Sequence, residues 1–170
     1  VTFRAAGTSL SGQTVTDSIL IVAGKHWERY QVSEDGSEIK LQPGLVGKRV
    51  DDILRPYGKI FSPDPASKNS AMVGGIVMNN ASGMSCGTHA NSDMEMKSMR
   101  IVLADGTILD TGSEESREQF RKSHPEIIKG IETIRDKVLA DEELVKRIKY
   151  KYAIKNVTGL NIYPFVKHTD

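Results

Sequence analysis

The residues with most chemical content lie near the N-terminus: Arg4, Ala6, Gly7, Thr8, Ser9, Leu10, Ser11, Gly12 and Gln13 fall within ten positions. Glycine allows positive φ and close approach of the backbone to a ligand. Successive free amides in such a turn form a concavity for anions, which hydroxyl donors extend. The reading is a loop that holds a phosphate or pyrophosphate. The alternative is an ordinary polar turn, since Gly and Ser populate turns for local reasons. Gly7, Gly12 and Thr14 have the spacing of a nucleoside-triphosphate loop, but Gln13 stands where that loop needs a Lys on the phosphates. An aliphatic run follows where that fold needs a helix, and G-x-G-x-x-G is not matched either. A pyrophosphate diester has less charge to neutralise, and amides with hydroxyls can serve it.

A second stretch has the same character. Gly74 and Gly75 open it, Asn79 and Asn80 follow, and Ala81, Ser82 and Gly83 close it, with little side-chain volume to fill a core. Between the two, Pro63, Asp64, Pro65 and Ser67 form a rigid, turn-rich segment that excludes helix and central strand. His26, His89, His124 and His168 are scattered without zinc spacing, so surface or helix-terminal positions are expected and no metal site is assigned. The single cysteine, Cys86, cannot form an internal disulfide, which fits a reducing compartment. It reads as a small packed residue rather than a tether or redox thiol.

These stretches need a frame. Residues 2–3 and 18–23 read as strands on either side of the first loop, the second buried on both faces. Residues 27–32 and 38–42 flank Asp35-Gly36 and read as a hairpin, as do residues 99–103 and 107–109 around Asp105-Gly106. Val46, Val50, Ile53 and Leu54 make one stripe of a helix ending before Pro56, and Ile60-Phe61 a strand fragment. Ser113 is the expected cap of a helix from Glu114. Ser123 with Glu126 reads as a capping box for a helix carrying Ile127, Ile131, Ile134 and Val138. Residues 142–150 supply a last helix, and the Lys/Glu-rich stretch 135–151 reads as a solvated face. The order is α+β rather than regularly alternating βαβ.

The 170 residues suffice for one domain or two small lobes, and 38% hydrophobic with 26% charged residues is ordinary for a globular protein. A net charge of +1 implies no general attraction to nucleic acid or membrane. No apolar run approaches the ~20 residues that span a bilayer.

The joint pattern is more specific than its parts. Arg-x-x-Gly-Thr-Ser-Leu-Ser-Gly, Pro-Asp-Pro-Ala-Ser, Gly-Gly-x-x-x-Asn-Asn-Ala-Ser-Gly and Leu-Ala-Asp-Gly occur in that order. Together they resemble the PCMH-type FAD-binding domain of the vanillyl-alcohol-oxidase family. Within it they resemble the bacterial FAD-linked 2-hydroxy-acid dehydrogenases of the D-lactate, glycolate and D-2-hydroxyglutarate type. Residues 86–92 and 151–159 are similar to the large members that carry a C-terminal iron–sulfur region. The resemblance implies a small parallel sub-sheet lobe, incomplete here, plus an antiparallel sheet lobe with helices. Residues 1–24 would be the C-terminal part of the first lobe and residues 25–170 the second, truncated before its end.

The resemblance also implies roles. Residues 6–12, preceded by Arg4, match the loop around the FAD pyrophosphate. Residues 63–67 with Gly74 and Gly75 match segments near the flavin and its phosphate linker, and residues 79–83 the later part of the second loop. Thr8 stands where some relatives attach flavin covalently through His, so non-covalent FAD is expected. The implied activity is oxidation of a small 2-hydroxy acid, with a quinone or an electron-transfer protein as acceptor. The chain is expected to be an inactive piece with weak flavin retention, its catalytic residues and any iron–sulfur cluster lying beyond it. The expected location is cytoplasmic, with peripheral attachment at the inner membrane face left open. Two rivals stand beside this reading. One is an NADPH-dependent enolpyruvyl reductase of cell-wall synthesis on the same FAD domain, and the other a non-enzymatic nucleotide- or phosphate-binding module.

Overall fold

The computed structural model describes residues 1–83, 87–156 and 160–168. The chain forms two compact units, Val1–Glu95 and Met96–Asp170. Both of the glycine-rich stretches fall in the first.

In that unit β1 (Thr2–Arg4) and β2 (Leu20–Val22) pair in parallel, with Phe3 opposite Ile21. A parallel pair requires a crossover, and here the Gly/Ser loop is that crossover. The strand expected to be buried on both faces is not: Ile19 is 62% and Val22 47% exposed. A pair of three-residue strands leaves both outer edges and much of each face open. β3 (Tyr30–Val32) and β4 (Ile39–Leu41) form the first expected hairpin, antiparallel with Gln31 opposite Lys40. Its turn is tight because Gly36 sits at φ 68° and leaves room for the Tyr57 ring where a side chain would stand. The Asp35 carboxylate accepts hydrogen bonds from the Ser37 amide and the Ser33 and Ser37 hydroxyls. Those donors favour its charged form and hold its pKa down at about 2.

The core of this unit gathers on α1 (Gly47–Leu54). Val50 and Leu54 pack with Leu45 and Val73, and Val32, Ile39 and Leu41 of the hairpin close over them. The helix thus buries the stripe its spacing predicts. Ile60-Phe61 forms no strand; the Phe61 amide instead donates to Asp51 Oδ1 on α1 (2.9 Å). The second Gly-rich stretch, expected as loop, begins as the short helix α2 (Val73–Met78), whose Ile76 is only 2% exposed. Two adjacent glycines argue against a helix by propensity. Their missing side chains let this one lie against its neighbours: a Cβ on Gly74 would stand 2.7 Å from the Pro43 side chain. α3 (Ser92–Glu95) ends the unit.

The second unit opens with the hairpin of β5 (Arg100–Val102) and β6 (Ile108–Asp110), Ile101 opposite Leu109. α4 (Glu114–Ser123) follows, capped as expected by Ser113, whose hydroxyl accepts from the Ser116 amide (3.3 Å). The capping box at Ser123 and Glu126 does not form. α4 runs through Ser123, and α5 (Pro125–Ala140) starts at a proline behind His124, with no side-chain cap. Pro125 needs no partner for a missing N–H and presets φ for a first turn. The Ser123 hydroxyl turns to the Phe120 carbonyl and to His124 Nδ1 (2.7 Å). α6 (Glu142–Tyr152) is capped by Asp141, and α7 (Pro164–Lys167) packs on α5. Ile131 and Ile134 of α5 remain half exposed. One parallel and two antiparallel strand pairs among seven α-helices of the described residues make the fold α+β.

His124 fastens this unit. Its ring stacks on Phe120 at 4.8 Å, and Nε2 meets Asp105 Oδ2 at 2.8 Å, pinning the hairpin turn to the α4–α5 junction. The Thr107 amide and His124 hold the Asp105 carboxyl at about 2, below its ordinary 3.8. A depressed carboxyl stabilises the fold above its unfolded pKa and loses that contribution as pH falls through the folded one. The window is therefore pH 4 to 2. Asp105→Asn is expected to flatten the pH dependence of urea unfolding in that window. An unaltered slope between pH 4 and 2 would contradict the assignment.

Candidate functional site

Arg4 ends β1, and its carbonyl accepts the Ala23 amide (2.8 Å), extending the parallel ladder to the mouth of the first loop. The loop then turns at Gly7 and again at Gly12, both at φ 72°. Such a conformation costs an L-residue about 1–2 kcal/mol, so glycine belongs at both. A Cβ on Gly7 would come within 3.2 Å of the Arg4 stem, which packs under this turn. Arg4 Nε is buried and finds no partner. Residues 7–13 are exposed, and Leu10 is wholly in solvent at 103%. Within the loop the Ser9 hydroxyl accepts from the Ser11 amide (3.4 Å), and the Val15 amide closes a turn on the Gly12 carbonyl (3.0 Å).

The second stretch comes up to the first. A Cβ on Gly75 would lie 3.5 Å from the Ala5 Cβ, so the glycine face of α2 abuts the start of the first loop. The Gly74 amide donates to the Pro43 carbonyl (2.9 Å) and the Val73 amide to Leu45 (2.7 Å), which fixes α2 from behind. Asn80 adopts φ 43°, the one non-glycine at positive φ among the described residues, and its Oδ1 accepts the Asp93 amide (3.0 Å). Ala81 is buried, and Ser82 Oγ is buried without a partner. Asn79 is exposed. Gly83 lies so close to Asp64 that a Cβ would overlap the Asp64 carbonyl. The turn-rich segment and the end of the second loop are thus in backbone contact, 19 positions apart in sequence. Pro63 is fully buried and shapes this contact from beneath, while the Ser67 carbonyl accepts the Ser70 and Ala71 amides.

An ion pair and a buried serine that the sequence reading passed over hold the arrangement. Lys68 Nζ meets Asp51 Oδ2 at 2.9 Å and the Phe61 carbonyl at 2.7 Å, with Asp64 Oδ1 at 3.9 Å. The Lys68 and Asp51 side chains are only 12% and 18% exposed. The pair ties α1 to the turn-rich segment. Spacing from Asp64 to Lys68 hints at it; nothing local points to Asp51. Ser92, buried beneath the second loop, is the other omission. Cys86 and residues 157–159 lie outside the described residues.

The first loop, α2 with its following loop, and the turn-rich segment therefore lie within one unit. Its main chain presents glycine-lined close approaches, exposed hydroxyls and two orphaned buried polar atoms, Arg4 Nε and Ser82 Oγ. Native folds rarely leave such atoms unsatisfied. This donor set fits a pyrophosphate diester bound chiefly by backbone and hydroxyl groups.

The comparisons agree with that chemistry. The sequence matches the family described as "FAD binding domain" over residues 1–112. The chain belongs to the FAD-binding domain family. It is 25% identical to D-2-hydroxyglutarate dehydrogenase of Haemophilus influenzae over 167 residues, covering 91% of the chain and 16% of that protein. It is 28% identical to glycolate oxidase subunit GlcD of Escherichia coli, covering 67% and 23%. It is 30% identical to D-lactate dehydrogenase of Archaeoglobus fulgidus, covering 66% and 25%. The chain thus spans a quarter or less of the length of these relatives. No solved structure matches it.

Three substitutions test the framework. Lys68→Met leaves Asp51 and the Phe61 carbonyl without their donor and is expected to cost about 2 kcal/mol in urea unfolding. Gly83→Ala must displace the Asp64 backbone and is expected to cost about 3 kcal/mol. Gly12→Ala, strained but uncrowded, is expected to cost about 1 kcal/mol. Equal losses for Gly83→Ala and Gly12→Ala would contradict the close contact.

Proposed function

We propose that this chain is the FAD-binding part of an oxidoreductase that acts on a small 2-hydroxy acid. The observation that carries the proposal is the meeting of the two glycine-rich stretches in one unit, across Ala5 and Gly75. The family match and the three relatives, all named for 2-hydroxy acids, support it.

In this reading the backbone from Ala6 to Gly12 wraps the FAD pyrophosphate, with Thr8, Ser9 and Ser11 adding hydroxyl donors. Gly7 and Gly12 supply the turns that aim successive amides inward. Arg4, its Nε unspent, supplies positive charge beside the loop. Gly74 and Gly75 admit the cofactor to the main chain of α2, and Asn79, Asn80 and Ser82 contribute polar groups further along. Pro63, Asp64, Ser67, Ala81 and Gly83 set the shape of that wall. Thr8 stands in place of the His that holds flavin covalently in some members of the resembled family, so in this reading attachment is non-covalent. Bound there, FAD would supply the acceptor for a hydride from the carbon bearing the substrate hydroxyl. These residues bind and orient the cofactor; none serves as catalytic base. The base and the groups that recognise the acid belong to the remainder of the polypeptide, as does any iron–sulfur region carrying electrons to a quinone or an electron-transfer protein. No helix of the described residues is long and apolar enough to cross a membrane.

Titration with FAD is expected to quench flavin fluorescence. It should also stabilise the chain by about 1.4 kcal/mol at tenfold excess over Kd, where equal concentrations of ATP do neither. The complete polypeptide is expected to reduce a dye acceptor with D-2-hydroxyglutarate, glycolate or D-lactate and not with NADPH. A colourless polypeptide indifferent to FAD would sink the proposal.

A further inference from the structure

Ser92 ties α3 to the turn that follows α2. It is 3% exposed, the single buried polar side chain of the described residues by that measure. Its hydroxyl lies 3.0 Å from the Ala81 carbonyl and 3.2 Å from the Ile76 carbonyl, sharing one proton between them. Its amide donates to the same Ala81 carbonyl (3.3 Å), and the next amide, of Asp93, donates to Asn80 Oδ1 (3.0 Å). The Ile76 carbonyl also takes the Ala81 amide (2.8 Å). α3 therefore grips the turn after α2 at three points, just where Asn80 is held at φ 43°. A left-handed non-glycine residue persists only where its surroundings impose the conformation. On either side of this grip stand two buried polar atoms without partners, Ser82 Oγ and Asn91 Oδ1. The hydroxyl at position 92 is spent on main-chain carbonyls, while its neighbours keep capacity free.

We infer that Ser92 is a positioning residue for the cofactor wall. It latches the 79–83 turn so that Asn80 and Ser82 stand ready before FAD arrives. It touches no cofactor itself. The inference rests on the FAD reading above and adds to it a residue outside both glycine-rich stretches. Preorganising a binding loop raises affinity by removing its ordering cost from the binding step.

The test compares the unaltered chain with Ser92→Ala, Asn80→Gly and Ser33→Ala. Asn80→Gly accepts the left-handed turn without strain but deletes the tie to Asp93. Ser33→Ala removes hydroxyl bonds of the β3–β4 turn and serves as a matched structural control. Amide exchange read by NMR on the FAD-free chain is expected to rise about tenfold at positions 81, 92 and 93 in Ser92→Ala, and to stay unchanged there in Ser33→Ala. FAD titration is expected to give about fivefold weaker binding and an altered bound-flavin absorption band for Ser92→Ala and Asn80→Gly, and neither for Ser33→Ala. If the unaltered chain binds FAD and Ser92→Ala matches it in affinity and band shape, the inference falls while the FAD reading stands. If the unaltered chain does not respond to FAD, the FAD reading falls first. Ser92 is then no cofactor-positioning residue, whatever the exchange rates show.

Discussion

The ammonium of Lys68 is the point on which the first unit turns. A cation so little exposed is tolerable only because three oxygens surround it: the Asp51 carboxylate, the Phe61 carbonyl and, further off, Asp64. Removing charges from water costs energy that a pair recovers only with good geometry and supplementary hydrogen bonds. This pair has both. Asp51 spends its other oxygen on the Phe61 amide, so the same two side chains clamp both polar groups of one peptide-bearing residue. The Lys68 stem runs past Gly47, where a Cβ would come within 3.0 Å of it, and the Lys48 amide donates to the Lys68 carbonyl (3.1 Å). α1 and the turn-rich segment thus have one relative placement. From it follow the position of Asp64, the contact of Gly83, and the wall of the site.

The arrangement divides labour between rigid and accessible parts. Below, Val50, Leu54, Leu45 and Val73 make one small apolar cluster and Ile76 with Ala71 and Ala81 a second, Phe61 packing against both. Above, the 5–19 crossover carries almost no buried side chain and is held at its ends by the β1–β2 ladder. Function concentrates on such loops because a packed scaffold sets their endpoints while their backbone stays available. A loop whose amides are spent on neither helix nor ladder keeps donors for a ligand.

How much of this was legible in the sequence depends on the range of the interaction responsible. Asp35-Gly36 and Asp105-Gly106 announced their hairpins because a tight turn is decided by a few adjacent residues. The α1 stripe was equally plain, since 3.6-residue periodicity is local. α2 was missed because two glycines lower helix propensity, whereas Ile76 reaches the core by close approach against residues around position 43, a tertiary gain no local pattern carries. The Ser123 capping box failed to a competing local signal, Pro125, which starts a helix without a side-chain cap. The aliphatic composition of the second strand favours cover on both faces. Aliphatic residues state what burial a strand would favour, not whether a neighbouring layer is there to provide it.

The candidate site shows the same division. Its glycines could be recognised from type and spacing, because positive φ at Gly7 and Gly12 is a property of single residues. What makes them a site is pairwise and distant: Ala5 against Gly75, Asp64 against Gly83, Asp51 against Lys68. Each pair involves a residue chosen for what it lacks or for a charge it must share, and neither choice leaves a periodic trace. The absent side chain at Gly83 has meaning only once the Asp64 carbonyl is known to occupy its place. Two loops of small polar residues are therefore weak evidence of a ligand when read singly. They become stronger evidence when one unit brings them into contact at Ala5 and Gly75 and still leaves Arg4 Nε and Ser82 Oγ unsatisfied.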